Sequence, residues 1–259
     1  MRKPLCVVVV AAVAALAVVG CGSSGSSGGG KPDLVVSAAA SLKDAFDQYA
    51  QQFPQATVRA SYAGSDELAA QIQQGVKPDV FASANTKLPD QLFQKGLVEK
   101  PVVFAGNRLV IAVPASGGKV SSIADLEKPG VTVAMGSATV PVGIYTRKVL
   151  AGLPKADSAK VLANVRSNEP DVAGVIGKVT QGAVAAGFVY ITDVDATDGK
   201  LKAIELPSSL QPHVAYGVAV VKGATHPKQA QQFIDGLLHG AGQKALKAAG
   251  FEPPPPAGS

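Results

Sequence analysis

From Leu34 onward, short apolar runs alternate with stretches in which apolar residues return every three or four positions. Leu34-Val35-Val36 predicts a strand, and residues 41–53 set Leu42, Ala45, Phe46, Tyr49 and Phe53 at helical spacing. Residues 57–62 alternate as a strand does. Residues 66–74 return to a helical period with Leu68 and Ile72 inward. Asp79-Val80-Phe81-Ala82 reads as a buried strand, and residues 88–95 as a helix that Gly96 ends. Leu109-Val110-Ile111-Ala112-Val113 is the strongest strand signal, and residues 131–134, 187–190 and 214–221 repeat the pattern with helices between. Such alternation predicts α/β architecture with largely parallel sheets. Residues 227–249 begin with a proline suited to a first helical turn and place Ala230, Phe233, Ile234 and Leu237 inward; Gly240 and Gly242 should break this stretch into two helices. The prolines from Pro253 onward cannot continue a helix, so residues 253–259 are expected to be a disordered tail.

The first thirty residues follow a different rule. Arg2 and Lys3 precede fifteen residues, 5–19, that carry no charge. That length is short of the roughly 20 residues of a membrane-spanning helix and suits a secretory signal. Val18-Val19-Gly20-Cys21 resembles the bacterial lipobox, whose cysteine takes a diacylglycerol after cleavage. Residues 1–21 are therefore expected to be a lipoprotein signal peptide with Cys21 as the lipidation site. The Gly/Ser run GSSGSSGGG opens a flexible tether, residues 22–32, and nine such residues span about 16 Å r.m.s.. The chain would then be lipid-anchored at the cell membrane, on its extracytoplasmic side.

Composition narrows the function. The chain has 259 residues, 47% hydrophobic and 17% charged, which excludes an ordinary disordered protein. Its 24 basic residues exceed its 19 acidic ones, but removal of the signal takes away Arg2 and Lys3 and leaves a charge of +3. No basic cluster interleaved with aromatics points to nucleic acid. Cys6 and Cys21 are too few and too N-terminal for a disulfide framework or a cysteine zinc site. His213, His226 and His239 form no metalloprotease motif and lie far from the serines discussed below, which argues against a hydrolase. No enzyme activity and no cofactor are expected.

The suggestive chemistry lies at strand-to-helix junctions. Ser41 stands at a helix start, where unpaired N–H groups and the positive dipole end favour an anion. The same Ser41-x-x-Asp44 spacing matches a capping box, which would make Ser41 a structural cap. Gly64-Ser65-Asp66-Glu67 repeats the choice at Ser65, in an N-cap position. Val140-Pro141-Val142-Gly143 and Asn168-Glu169-Pro170-Asp171-Val172 are two further junctions with exposed amides. In open α/β sheets such junctions face a crevice outside the carboxyl ends of the strands.

The runs AAASLKDAF, GSDELAAQIQQGVKPDVFASAN, VPVGIYT, EPDVAGVIGKVTQGAVAAGFVY and QQFIDGLLHGAGQKALKAAGF occur in that order. Together they resemble the molybdate-binding proteins of bacterial ABC importers, within the type II periplasmic binding fold, from Leu34 to Phe251. The resemblance implies two α/β lobes with a ligand cleft between them: residues 33–108 with 214–252, and residues 109–213. It implies hydroxyl contacts to molybdate from Ser41 and Ser65, amide contacts from Val142 and Val172, and a closing phenol contact from Tyr190. Molybdenum would be held as its oxyanion, without direct protein–metal bonds, and tungstate would bind as well. Implied partners are a membrane permease and an ATPase, with the receptor a monomer. Taken alone, Tyr190 reads as a half-buried strand aromatic, and Val142 and Val172 as packing residues. Where that family commonly has a small polar residue, this chain has Asp66: outward it complements a helix dipole, inward it would repel a dianion. Sulfate and phosphate remain alternative guests. An enzyme on the same scaffold, and a regulator's effector domain, are remoter alternatives.

Overall fold

The computed structural model describes residues 30–256. The proposed signal, Cys21 and the glycine-serine run up to residue 29 lie outside the described residues, as do residues 257–259. In chain order, β1 (Asp33–Ala39), α1 (Lys43–Gln51), β2 (Thr57–Ala63), α2 (Ser65–Gln73), β3 (Val80–Ser83), α3 (Lys87–Gln94) and β4 (Val102–Asn107) come first. After Arg108 follow β5 (Leu109–Pro114), β6 (Val133–Gly136), α4 (Pro141–Ala151), α5 (Lys155–Ala163), β7 (Val165–Glu169), α6 (Val172–Thr180), β8 (Ala186–Tyr190), α7 (Ile191–Asp195) and β9 (Leu201–Glu205). The last three elements are β10 (Val214–Val220), α8 (Pro227–His239) and α9 (Ala241–Ala248).

Two five-stranded sheets result, in the orders β2-β1-β3-β10-β4 and β7-β6-β8-β5-β9. In each, three strands run parallel and the fourth in order is antiparallel to both its neighbours. Those antiparallel strands, β10 and β5, each begin directly after the chain passes from one sheet to the other. The sheets are therefore mixed rather than largely parallel, because a strand arriving from the other lobe inserts against the direction set by the βαβ units.

Burial explains which strands the hydrophobic pattern revealed. The first five residues of β5 are fully buried, so its apolar run is unbroken. The edge strands β2 and β7 are exposed at every other position. Strand β7 reads Val-Arg-Ser-Asn-Glu, and no apolar run marks it.

On the first lobe, Phe46, Tyr49, Phe53 and Phe233 pack ring against ring, with Tyr49 and Phe233 centroids 4.6 Å apart. The expected break falls at Gly240, between α8 and α9. A Cβ on Gly242 would approach Tyr49 Cε1 to 2.8 Å, so glycine there is what lets α9 close over the ring. Of the expected tail, Pro253 and Pro255 lie against Gly106, where an added Cβ would meet the Pro253 carbonyl at 2.8 Å.

At the crossings, Arg108 ties the lobes' connections together. It pairs with Glu205 at 2.7 Å and Glu252 at 2.9 Å. Beside it, Asn107 Nδ2 donates to Thr192 Oγ1 at 2.9 Å, joining the end of β4 to α7.

Candidate functional site

Between the two sheets, the carboxyl ends of β1, β2 and β8 and the first turns of α2, α4 and α6 enclose a small cavity. Its wall is formed by Ala39, Ala40, Ser41, Ala63, Gly64, Ser65, Ala84, Val140, Pro141, Val142, Asp171, Val172 and Tyr190. All five residues singled out as ligand contacts, Ser41, Ser65, Val142, Val172 and Tyr190, are thus brought together around one space. The free volume is about 10 Å³ for the centre of a water-sized sphere. That is room for a compact guest only. Two larger crevices, about 480 and 620 Å³, lie on either side. Neither gathers the five residues: the first shares only Ser41 with them and the second shares none.

Ser41 is not a cap. It lies inside a 3-10 turn, Ala40–Leu42, that precedes α1, and neither the turn nor the helix takes a side-chain cap. Its Oγ lies 2.9 Å from Tyr216 Oη. Asn107 Nδ2 donates to the same phenol oxygen at 3.4 Å. Either hydroxyl can donate in this pair; with the Tyr216 proton given to Ser41, the proton of Ser41 is left for a guest.

Ser65 follows the same logic by another route. Gly64 takes the N-cap position and Ser65 becomes the first residue of α2. Ser65 is 1% exposed and its Oγ accepts the Ala84 N–H at 3.1 Å, which again leaves one O–H proton unspent. Gly64 is required here: a Cβ would collide with the Pro170 carbonyl of the opposite lobe.

The second lobe supplies amides. Val142 is the second residue of α4, after Pro141, and the first intrahelical bond runs from Ile144 N to Val140 O at 3.0 Å. Val172 is the first residue of α6, whose cap is the Asp171 carboxylate accepting from Gly174 N at 2.8 Å. Both amides belong to the first turns, where no helical acceptor exists. Tyr190 ends β8 and is 1% exposed, yet its Oη has no hydrogen-bond partner. A buried phenol without a partner loses its hydration for nothing in return, unless a guest accepts from it. Burial, with Tyr216 and Tyr145 nearby, pushes its pKa well above the ordinary phenol value, so it stays a neutral donor.

Apart from the Asp171 carboxylate, already engaged by Gly174, the cavity presents donors set in an alanine and valine wall. Asp66 lies outside that wall. Its Oδ2 accepts from Thr139 Oγ1 at 2.5 Å, across the gap between the lobes. This bridging role was not legible in the sequence, because nothing about Thr139 marks it as the partner of α2. Tyr216 was missed as well; it reads as a core aromatic of β10, and its effect on Ser41 depends on a contact between positions 175 residues apart. Among the described residues no cluster of metal-ligating side chains occurs.

Residues 34–252 match the family described as "Bacterial extracellular solute-binding protein". The molybdate-binding protein ModA of Mycobacterium tuberculosis is 36% identical over 231 residues, covering 87% of this chain and 86% of the relative. Among solved structures, the periplasmic molybdate-binding protein of Azotobacter vinelandii is 22% identical with a TM-score of 0.76, over 87% of this chain and 100% of that one. The sulfate-binding protein SubI of M. tuberculosis is 18% identical, also with a TM-score of 0.76, over 87% and 88% of the two chains. The last two likenesses carry the fold, the two-lobed type II periplasmic architecture. With a family match that spans nearly all of the described residues, the chain belongs to the bacterial extracellular solute-binding proteins, which are receptors and not enzymes.

Proposed function

We propose that this receptor captures molybdate, and tungstate with it, for an ABC importer. The guest sits in the cavity between the lobes and accepts hydrogen bonds from Ser41, Ser65 and Tyr190 and from the amides of Val142 and Val172. The observation that carries the reading is the donor set: three hydroxyls and two helix-start amides facing one small space. A tetrahedral dianion without a proton is the complement of such a set, and charge-assisted bonds repay its dehydration. The 36% identity to a molybdate-binding protein supports the choice of guest. The sulfate-binding relative of equal TM-score makes sulfate the competitor to test.

The receptor works outside the cytoplasmic membrane, as its family does. The finer proposal is that it is held there by a lipid on Cys21 and delivers its guest, as a monomer, to a permease driven by an ATPase. The lobes would then be residues 33–108 with 214–252, and residues 109–213, hinged near Arg108 and again between β9 and β10.

Calorimetry on protein lacking residues 1–21 tests the guest. Submicromolar binding of molybdate, with sulfate much weaker, is the expected result. Tight sulfate binding without molybdate binding overturns it. Cys21→Ser should release the receptor from membranes with unchanged affinity, and retained attachment would refute the anchor.

A further inference from the structure

Asp66 follows Ser65, and Thr139 precedes Val140; Ser65 and Val140 line the cavity from opposite lobes. The bond from Thr139 Oγ1 to Asp66 Oδ2, 2.5 Å long, therefore joins the two halves of the wall one residue beyond its edge. On the first lobe Asp66 is the second residue of α2, where the positive end of the helix favours a carboxylate. On the second lobe Thr139 stands two residues before the start of α4. A carboxylate acceptor makes a stronger bond here than a second hydroxyl would.

A second contact closes the same rim. Gly64 lies so near the Pro170 carbonyl that a Cβ would come within 2.4 Å of its oxygen, and the same Cβ would stand 2.9 Å from Asp66 Oδ1. The start of α2 is thus held between two segments of the other lobe, at residues 139 and 170, with the Asp66 carboxylate folded back over Gly64. The Gly64 contact sets how near the lobes come, and the Asp66 bond resists their parting. A guest gripped by donors from both lobes leaves only when the lobes part, so that bond must break before release. It need not form before entry, because the guest enters while the lobes are apart. Thr139 is exposed and water competes for both groups, which keeps the effect modest.

We infer that Asp66 and Thr139 form a clasp that prolongs the residence of the guest without taking part in its recognition; they are positioning residues, touching each other and not the anion. This rests on the anion reading above and goes beyond it, from what is bound to how long. The test is stopped-flow measurement of molybdate association and release by tyrosine fluorescence. The chain contains no tryptophan, and the rings of Tyr190 and Tyr216 lie at the site with centroids 5.9 Å apart. Thr139→Val should speed release about fivefold and leave association within about twofold of wild type, and calorimetry should show the same factor in Kd. Thr139→Ser, which keeps the hydroxyl, should release like wild type. Asp66→Ala should speed release no further once Thr139 is valine. Melting of each unliganded variant within a few degrees of wild type shows that the fold is kept. Release at the wild-type rate in Thr139→Val overturns the clasp. So does an Asp66→Ala effect of the same size with and without the Thr139 hydroxyl, which would then come from charge alone. A wild-type chain that binds no molybdate overturns instead the reading on which the inference stands.

Discussion

On the first lobe the cavity is faced by serine hydroxyls, whose oxygens are already engaged by Tyr216 and by the Ala84 amide. On the second it is faced by main-chain amides at two helix starts and by a phenol with no partner at all. The first lobe's donors are therefore aimed in advance by the protein around them. Those of the second are aimed by the backbone path of a helix or left unsatisfied until a guest arrives. The difference decides how each can be attacked. Side-chain donors are deleted by ordinary substitution, whereas an amide survives every substitution except proline.

The largest effect is expected on the first lobe. Ser41→Ala and Ser65→Ala should each cost about 1–3 kcal/mol of molybdate affinity, the range for a donor lost to a charged partner, and together they should remove measurable submicromolar binding. Each also takes a partner from a buried group, the Ala84 amide for Ser65→Ala and the Tyr216 phenol for Ser41→Ala, so both melting temperatures should fall. Titration calorimetry and thermal melting on the single and double variants check both statements. A double variant with wild-type affinity would reduce the serines to packing.

On the second lobe, one amide can be removed cleanly. Val172 is the first residue of α6, where proline is well tolerated, and Asp171 before it is extended at φ −152° and ψ 177°, as a residue preceding proline must be. Val172→Pro should therefore keep the helix and lose one donor, at about 1.5–3 kcal/mol of affinity. Val172→Ala is its control. It removes buried methyl groups and should lower the melting temperature while leaving affinity within about 0.5 kcal/mol. If the alanine variant loses as much affinity as the proline one, the side chain and not the amide matters.

Tyr190→Phe separates the lobes by sign. Deleting a buried hydroxyl without a partner should raise the melting temperature of the unliganded protein, by up to about 1 kcal/mol of stability, while weakening molybdate by about 1–2 kcal/mol. Neither serine variant can do this, since both serine oxygens have protein partners.

The contrast between lobes also explains what could be read from the chain. The serines carry their chemistry in their side chains and stand at junctions that the hydrophobic pattern marks, so Ser41 and Ser65 could be named in advance, whereas Tyr190 at a strand end read as a half-buried strand aromatic and was named only through a family resemblance. Val142 and Val172 could be named only through a family resemblance, because an amide leaves no trace in residue type. Capping logic misjudged Ser41, since a spacing of three residues cannot show that Tyr216 draws the hydroxyl away from its helix. Strand β7 was hidden because an edge strand has no need of an apolar run. The antiparallel direction of β5 and β10 follows from the crossings between lobes, which periodicity along one segment does not encode.

The smallest effect lies behind Tyr190, on the second lobe again. The Asp193 carboxyl accepts the Tyr190 N–H at 2.9 Å. Burial pushes its pKa up to about 7, with the Asp44 and Asp171 carboxylates adding to the rise and the Tyr190 bond opposing it. A carboxyl whose pKa is higher folded than unfolded binds its proton more tightly in the folded state. It therefore favours folding most below about pH 4, and that contribution is lost as pH rises towards 7. Asp193 is not wholly sealed from solvent and water screens part of the penalty, so about 1 kcal/mol is expected over this window. Asp193→Asn should remove that slope between pH 4 and 7, so that the difference in melting temperature from wild type grows as pH rises and levels off above 7. A difference that stays constant across the range would mean that Asp193 titrates as an ordinary carboxylate and that the floor beneath Tyr190 is wetter than its burial implies.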